Sequence, residues 1–170
     1  MKILKKALLL LVVLALTIPA VSQKKKVIVV NPDGKPKVEK FQARKVLHRT
    51  AVVVFHAHKL VKQNKNYTGD LAKSIAHQRY AKKLYAQGKY YRAVHQSRVA
   101  RIYALKAIKA NKGTEIEECK LTPEEGELMK NGPTDDELIA EMTKESPPGT
   151  KMKDEDNLIS EPDIDLNADE

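Results

Sequence analysis

The sequence predicts an all-α protein. It reads as a small three-helix up-down bundle with a helical hairpin, an N-terminal extended arm and an acidic, mostly disordered C-terminal tail. Three observations lead there. Between residues 38 and 113 apolar residues recur at three- and four-residue steps, the signature of helices with one buried face. Breakers interrupt that pattern at residues 64–69, at Gly88 and at residues 111–113, dividing it into three runs. Acidic residues are nearly missing before residue 114 and crowd the chain after it.

Residues 1–22 have the layout of a secretory signal peptide. Lys2, Lys5 and Lys6 head an apolar run from Ala7 to Ile18, Pro19 ends it, and Ala20-Val21-Ser22 offers small residues ahead of a cut before Gln23. The run is short of the roughly 20 apolar residues that span a bilayer. No Cys stands at the cut, so a lipoprotein is not expected. The style is bacterial, and the expected location is the periplasm or the extracellular space.

Residues 23–37 form the arm, where a triple lysine precedes the β-prone Val27-Ile28-Val29-Val30 and a turn at Asn31-Pro32-Asp33-Gly34. Residues 38–113 form a basic helical domain. Its first helix runs from Val38 to Gln63, with an apolar stripe assigned to Phe41, Leu47, Ala51, Val54, Phe55, His58 and Val61. Val52-Val53-Val54-Phe55 would suit a strand, but the length and periodicity of the flanks favour a helix. A second helix spans Asp70 to Gln87, closed by Gly88 as the left-handed residue. The third runs from Lys89 or Tyr90 to about Asn111, roughly 33 Å long. One face of it carries Tyr90, Ala93, Ser97, Ala100, Ala104, Ala107 and Ile108, small enough to let a neighbouring helix come close. His58 and His77 are assigned to interhelical positions.

The stretch Gly88-Lys89-Tyr90-Tyr91-Arg92-Ala93, with Ala81, Leu84 and Ala100, resembles a tetratricopeptide-repeat hairpin over about residues 77–108. No second copy follows at a period near 34, and Ser97 and Arg101 stand where that repeat carries aromatic and apolar residues. The resemblance implies a protein-binding scaffold.

Residues 114–170 form the acidic tail, with two short helix starts. Thr122-Pro123-Glu124-Glu125 and Thr134-Asp135-Asp136-Glu137 each supply a capping Thr and a Glu three residues on. Ser146-Pro147-Pro148-Gly149 ends the second, and acid density from Thr150 onward predicts disorder.

Charge carries the functional reading. Up to Gly113 there are 26 Lys and Arg against 3 acids, and after it 5 against 19. So lopsided a chain speaks of partners rather than of a reaction. Carboxylates for acid–base chemistry are almost missing from the basic domain, Ser74 and Ser97 lack a nucleophile elbow, and no phosphate loop occurs. The five His carry no metal-binding spacing, so no cofactor and no metal are expected. Cys119, the only thiol, is expected to titrate high beside Glu117 and Glu118 and to be free or to link two chains.

The binding candidate is the basic, aromatic side of the third helix: Tyr91, Arg92, His95, Arg98, Ile102, Lys106 and Lys109, with Arg101 at its margin and Lys82 and Lys83 near the hairpin turn. Near-unipolar charge interleaved with Tyr and Ile suits an interface. The expected partner is an acidic protein, an anionic envelope polymer or a lipid headgroup. The acidic tail is a further partner in cis, and export argues against nucleic acid. The expected function is an exported, non-enzymatic helical binding protein of the cell envelope. The alternative is a structural subunit joined through the arm, which deletion of residues 23–36 would separate from the first.

Overall fold

The computed structural model describes residues 37–145; the signal-peptide expectation, most of the arm and residues 146–170 lie outside them. Among the described residues the chain is helical, with no strands. Three long helices come first: α1 (Lys40–Asn64), α2 (Asp70–Ala86) and α3 (Tyr90–Ala110). A 3₁₀ turn (Glu117–Cys119) and two short helices, α4 (Pro123–Leu128) and α5 (Asp135–Glu145), follow.

Local chemistry sets the boundaries. The Glu39 amide donates to Gln42 Oε1 at 3.0 Å, closing the first turn of α1. Gly88 takes φ +73°, and the Lys89 amide reaches back to the Leu84 carbonyl at 2.9 Å. This is the glycine-terminated helix end expected between α2 and α3. The end of α3 is built differently. Lys112 takes the left-handed conformation, φ 54°, and the Gly113 amide bonds the Ile108 carbonyl at 2.9 Å. Gly113 lies close against α1, and a Cβ there would force the end of the Leu60 side chain to shift.

Side-chain bonds between α2 and α3 run in opposite order along the two helices. Ser74 Oγ donates to the Ala100 carbonyl at 2.8 Å, Ser97 Oγ to Gln78 Oε1 at 3.1 Å, and Arg92 Nη2 to the Tyr80 hydroxyl at 3.2 Å. The two helices are therefore an antiparallel hairpin. α1 packs along both, its Leu47 end against Leu84 and Ala93 and its Val61 end against Leu71 and Ile108.

The apolar interior falls into two clusters. One holds Val54, Ala57, Val61, Leu71, Ile75, Ala104 and Ile108; the other holds Val46, Leu47, Ala81, Leu84, Ala93, Val94 and Leu128. Between them in sequence on every long helix lie buried polar residues, Thr50, His77, Gln78, Gln96, Ser97 and Arg101, with Ser74 just inside the first cluster. Gln78 ties the layer together, donating to the Leu47 carbonyl at 2.9 Å while accepting from Ser97. A layer of this kind fixes helix register, since sliding by one turn would strand every donor.

The stripe assigned to α1 needs correcting. Leu47, Ala51, Val54 and Val61 are buried, but Phe41 is 69% and Phe55 40% exposed, and His58 is half-buried. Ala43, Val46, Thr50, Val53 and Ala57 take the interior places. Fully buried Ala43, Ala51 and Ala57 face Ala81, Ala93, Ala104 and Ala107 across closely approaching helices. Such an interface has no room for a phenyl ring.

Residues 114–145 are helical in part and lie on the basic domain. Both expected helix starts are present. The Glu125 amide donates to Thr122 Oγ1 at 3.1 Å and the Thr122 amide to Glu125 Oε2 at 2.8 Å. Thr134 and Glu137 exchange the same pair of bonds at 3.3 and 2.8 Å. No helix among the described residues is long and apolar enough to cross a membrane.

Candidate functional site

The residues proposed as a binding face do not share one environment. His95 and Arg101 are buried, 1% and 2% exposed. Tyr91, Arg92, Arg98 and Ile102 are half-buried, whereas Lys106 and Lys109 are exposed. Lys82 and Lys83 lie on α2 rather than α3. The structure thus divides the set into a buried pair, a covered middle and an exposed rim.

Arg101 lies inside the bundle. Its guanidinium donates from Nη1 to Glu125 Oε2 at 3.1 Å and from Nη2 to Glu125 Oε1 at 3.0 Å. Nε and Nη2 also donate to Thr50 Oγ1 at 3.2 and 3.0 Å. Arg49 Nε lies 3.3 Å from Glu125 Oε1, and its Nη2 donates to the Lys120 carbonyl at 3.1 Å. Burial alone would raise the Glu125 carboxyl. The bonds from Arg101 and the Thr122 amide, together with the Arg49 charge, outweigh it and hold the group below the ordinary glutamate value. One carboxylate therefore caps α4 and neutralises an arginine inside the bundle.

Arg92 and Arg98 hold α5 along the outer side of α3. Arg92 pairs with Glu141 and, at 2.7 Å, with Glu145. Arg98 reaches Asp135 at 2.5 Å and the Pro133 carbonyl at 3.4 Å. Gln96 donates to the Leu138 carbonyl and to Glu141 Oε2, both at 2.9 Å. Leu138 is the one buried side chain of α5. Hydrogen bonds from Arg92 and Tyr80 bring the Glu145 carboxyl down to about 2.

His77 and His95 sit on either side of this contact. His77 Nδ1 is 2.8 Å from Gln96 Oε1. Because the Gln96 amide donates to α5, its oxygen accepts, and His77 Nδ1 is the donor. Burial pushes the His77 value down despite Gln96 and Asp135. Among the described residues His95 has no hydrogen-bond partner at either ring nitrogen. Its ring meets Tyr91 edge-on at 4.4 Å and Gly132 covers it so closely that a Cβ would overlap the ring. Burial, and then the Arg98 charge, lower it to about 4.

At the rim, Lys106 lies 4.8 Å from the centre of the Tyr103 ring and Lys109 pairs with Glu115 at 3.2 Å. Cys119 is free and buried at the edge of the first apolar cluster. Burial raises its thiol, with Glu115 and Glu118 adding to the effect. No group of three His, Cys, Asp or Glu among the described residues is placed to hold a metal ion.

Sequence reasoning missed Glu125, Gln96 and Gln78 as organisers. A signal was present. Ser97 and Arg101 are the two departures from the tetratricopeptide-like pattern, and both carry buried polar bonds, to Gln78 and to Glu125. Comparison with protein-family models, curated proteins and solved structures finds no match.

Proposed function

We propose that the protein is an exported, non-enzymatic helical binding protein of the cell envelope. Its working unit is a three-helix up-down bundle that follows an N-terminal extended arm. The face of α3 around Arg92 and Arg98 takes an acidic segment of another protein, and the chain's own α5 occupies that face until the partner displaces it.

One observation carries this reading: α5 is itself an acidic helix gripped by that face, through Asp135, Glu141 and Glu145 with Leu138 between them. The grip is shallow. Burying one leucine contributes about 2 kcal/mol, and part-exposed ion pairs contribute roughly 0–1 kcal/mol each. A segment held this lightly opens without unfolding the rest. Tethering raises its local concentration to the order of millimolar, so a competing partner needs a better match in charge and apolar contacts. Arg101 and Glu125, buried and mutually satisfied, serve as the floor of the site and not as its contact surface.

Crosslinking in the native envelope tests the proposal. An acidic protein should be captured near α3, more strongly when Glu141 and Glu145 are changed to Lys and not at all with Arg92→Glu/Arg98→Glu. Capture that is indifferent to all four substitutions would sink it.

A further inference from the structure

Among the described residues, the acidic segment lies against one side of the bundle and leaves the outward side of α1 uncovered. Along the outward side of α1, Val52 and Phe55 lie close to whole numbers of turns from Phe41; exposed His48 and Lys59 share that line, and Arg44 and Lys62 lie together along one side of it. The two rings are 69% and 40% exposed and stand about 21 Å apart along the helix axis. α1 contains no Asp or Glu. Among the described residues Arg44, Lys59 and Lys62 make no ion pair; Lys45, on the flank nearer α4, meets Glu124 at 3.7 Å.

We propose that this face of α1 docks on an anionic lipid bilayer, with Phe41 and Phe55 entering the headgroup region and the flanking cations meeting lipid phosphates. The surface is the outside of one helix, and its apolar groups are strung in a narrow line rather than gathered in a pocket. A protein partner is usually held by clustered anchors in a desolvated centre. Two exposed phenyl rings set among Lys and Arg, on a helix with no acid, instead suit a helix lying in a membrane interface. Anionic lipid supplies the complementary charge, about 1 kcal/mol for each cation near the surface. A second copy of the chain would set Lys59 and Lys62 against their own kind. The proposal uses none of the α3 residues, so it and the acidic-segment reading fail separately.

The chain has no Trp, so Phe41→Trp and Phe55→Trp, made singly in the full chain, report on this face alone. Helical circular dichroism should be unchanged, because both sites are exposed. Tryptophan emission should shift to the blue with vesicles of mixed phosphatidylglycerol and phosphatidylcholine, and not with phosphatidylcholine alone. Lys59→Gln/Lys62→Gln should weaken the response about thirtyfold. Emission unmoved by anionic vesicles, even when the chain sediments with them through another segment, overturns the proposal. An equal response to neutral vesicles overturns it as well. Emission already blue without lipid, and shifted to the red by deleting residues 150–170, would assign the face to the chain's own C-terminal segment instead.

Discussion

Arg101 and Glu125, from α3 and α4, form a two-pronged ion pair inside the bundle with side chains only 3% and 4% exposed. It joins the basic domain to the acidic segment where water cannot screen either charge. Removing one partner leaves the other buried and unpaired, a loss of about 3–5 kcal/mol. Glu125→Gln and Arg101→Met should each lower the unfolding free energy measured by urea titration by that order. Arg101→Met/Glu125→Leu should destabilise less than the two single changes combined, because no charge is then stranded. Additive losses would show that the two residues act independently.

Gly132 owes its identity to His95. A methyl there would overlap the imidazole, so Gly132→Ala must push the loop before α5 outward, at a cost of about 1–3 kcal/mol. Gly126, where a Cβ would meet only open space and φ is not positive, is the control. Gly126→Ala should leave stability unchanged or raise it by up to about 1 kcal/mol. Denaturant titration of both variants decides the matter.

Acid should loosen the bundle before its carboxylates protonate. His95 has a folded-state value of about 4 against 6.5 for the free group. The unfolded chain therefore binds more protons across that interval. Its contribution is complete above pH 6.5, falls as pH drops toward about 4, and is level below that. The loss is roughly 3 kcal/mol, and His77, lowered by burial, adds in the same direction. The Glu125 contribution runs out only at pH values below the ordinary glutamate range, as that carboxyl is held low. Urea midpoints measured from pH 7 to pH 4 should fall, and His95→Leu should flatten the slope.

Cys119 should react slowly. Its thiol is raised by burial and by nearby carboxylates, so little thiolate forms at neutral pH. Labelling by an aromatic disulfide reagent should be slow in the native protein and fast in denaturant. Linking of two chains through this residue would require the same opening. Fast native labelling would show that the segment around the 3₁₀ turn leaves the core readily.

What could be read from the sequence was local. Gly88 between two amphipathic runs, the alanine face of α3, and the paired Thr and Glu at 122/125 and 134/137 each act within a few residues, and each is where the pattern placed it. The phase of α1 was not legible. Rings at 41 and 55 look like core by hydrophobicity, and only the close approach of the neighbouring helices turns them out. The candidate site was half legible for a related reason. Arg101 stands in helical phase with Ser97, Ala104 and Ile108, which marks it as inward, but nothing local shows that Glu125 would meet it there or that Arg92 and Arg98 would hold α5.

The central claim is that the Arg92–Arg98 face of α3 grips acidic helices, its own or another's. The most direct measurement is the affinity of a labelled peptide of residues 134–145 for the full chain, for Glu141→Lys/Glu145→Lys and for Arg92→Glu/Arg98→Glu. The account predicts weak binding to the full chain, at least about tenfold tighter binding once the resident helix is loosened, and none after the arginines are reversed. Equal binding to all three, or none to the chain with its own helix loosened, would contradict it.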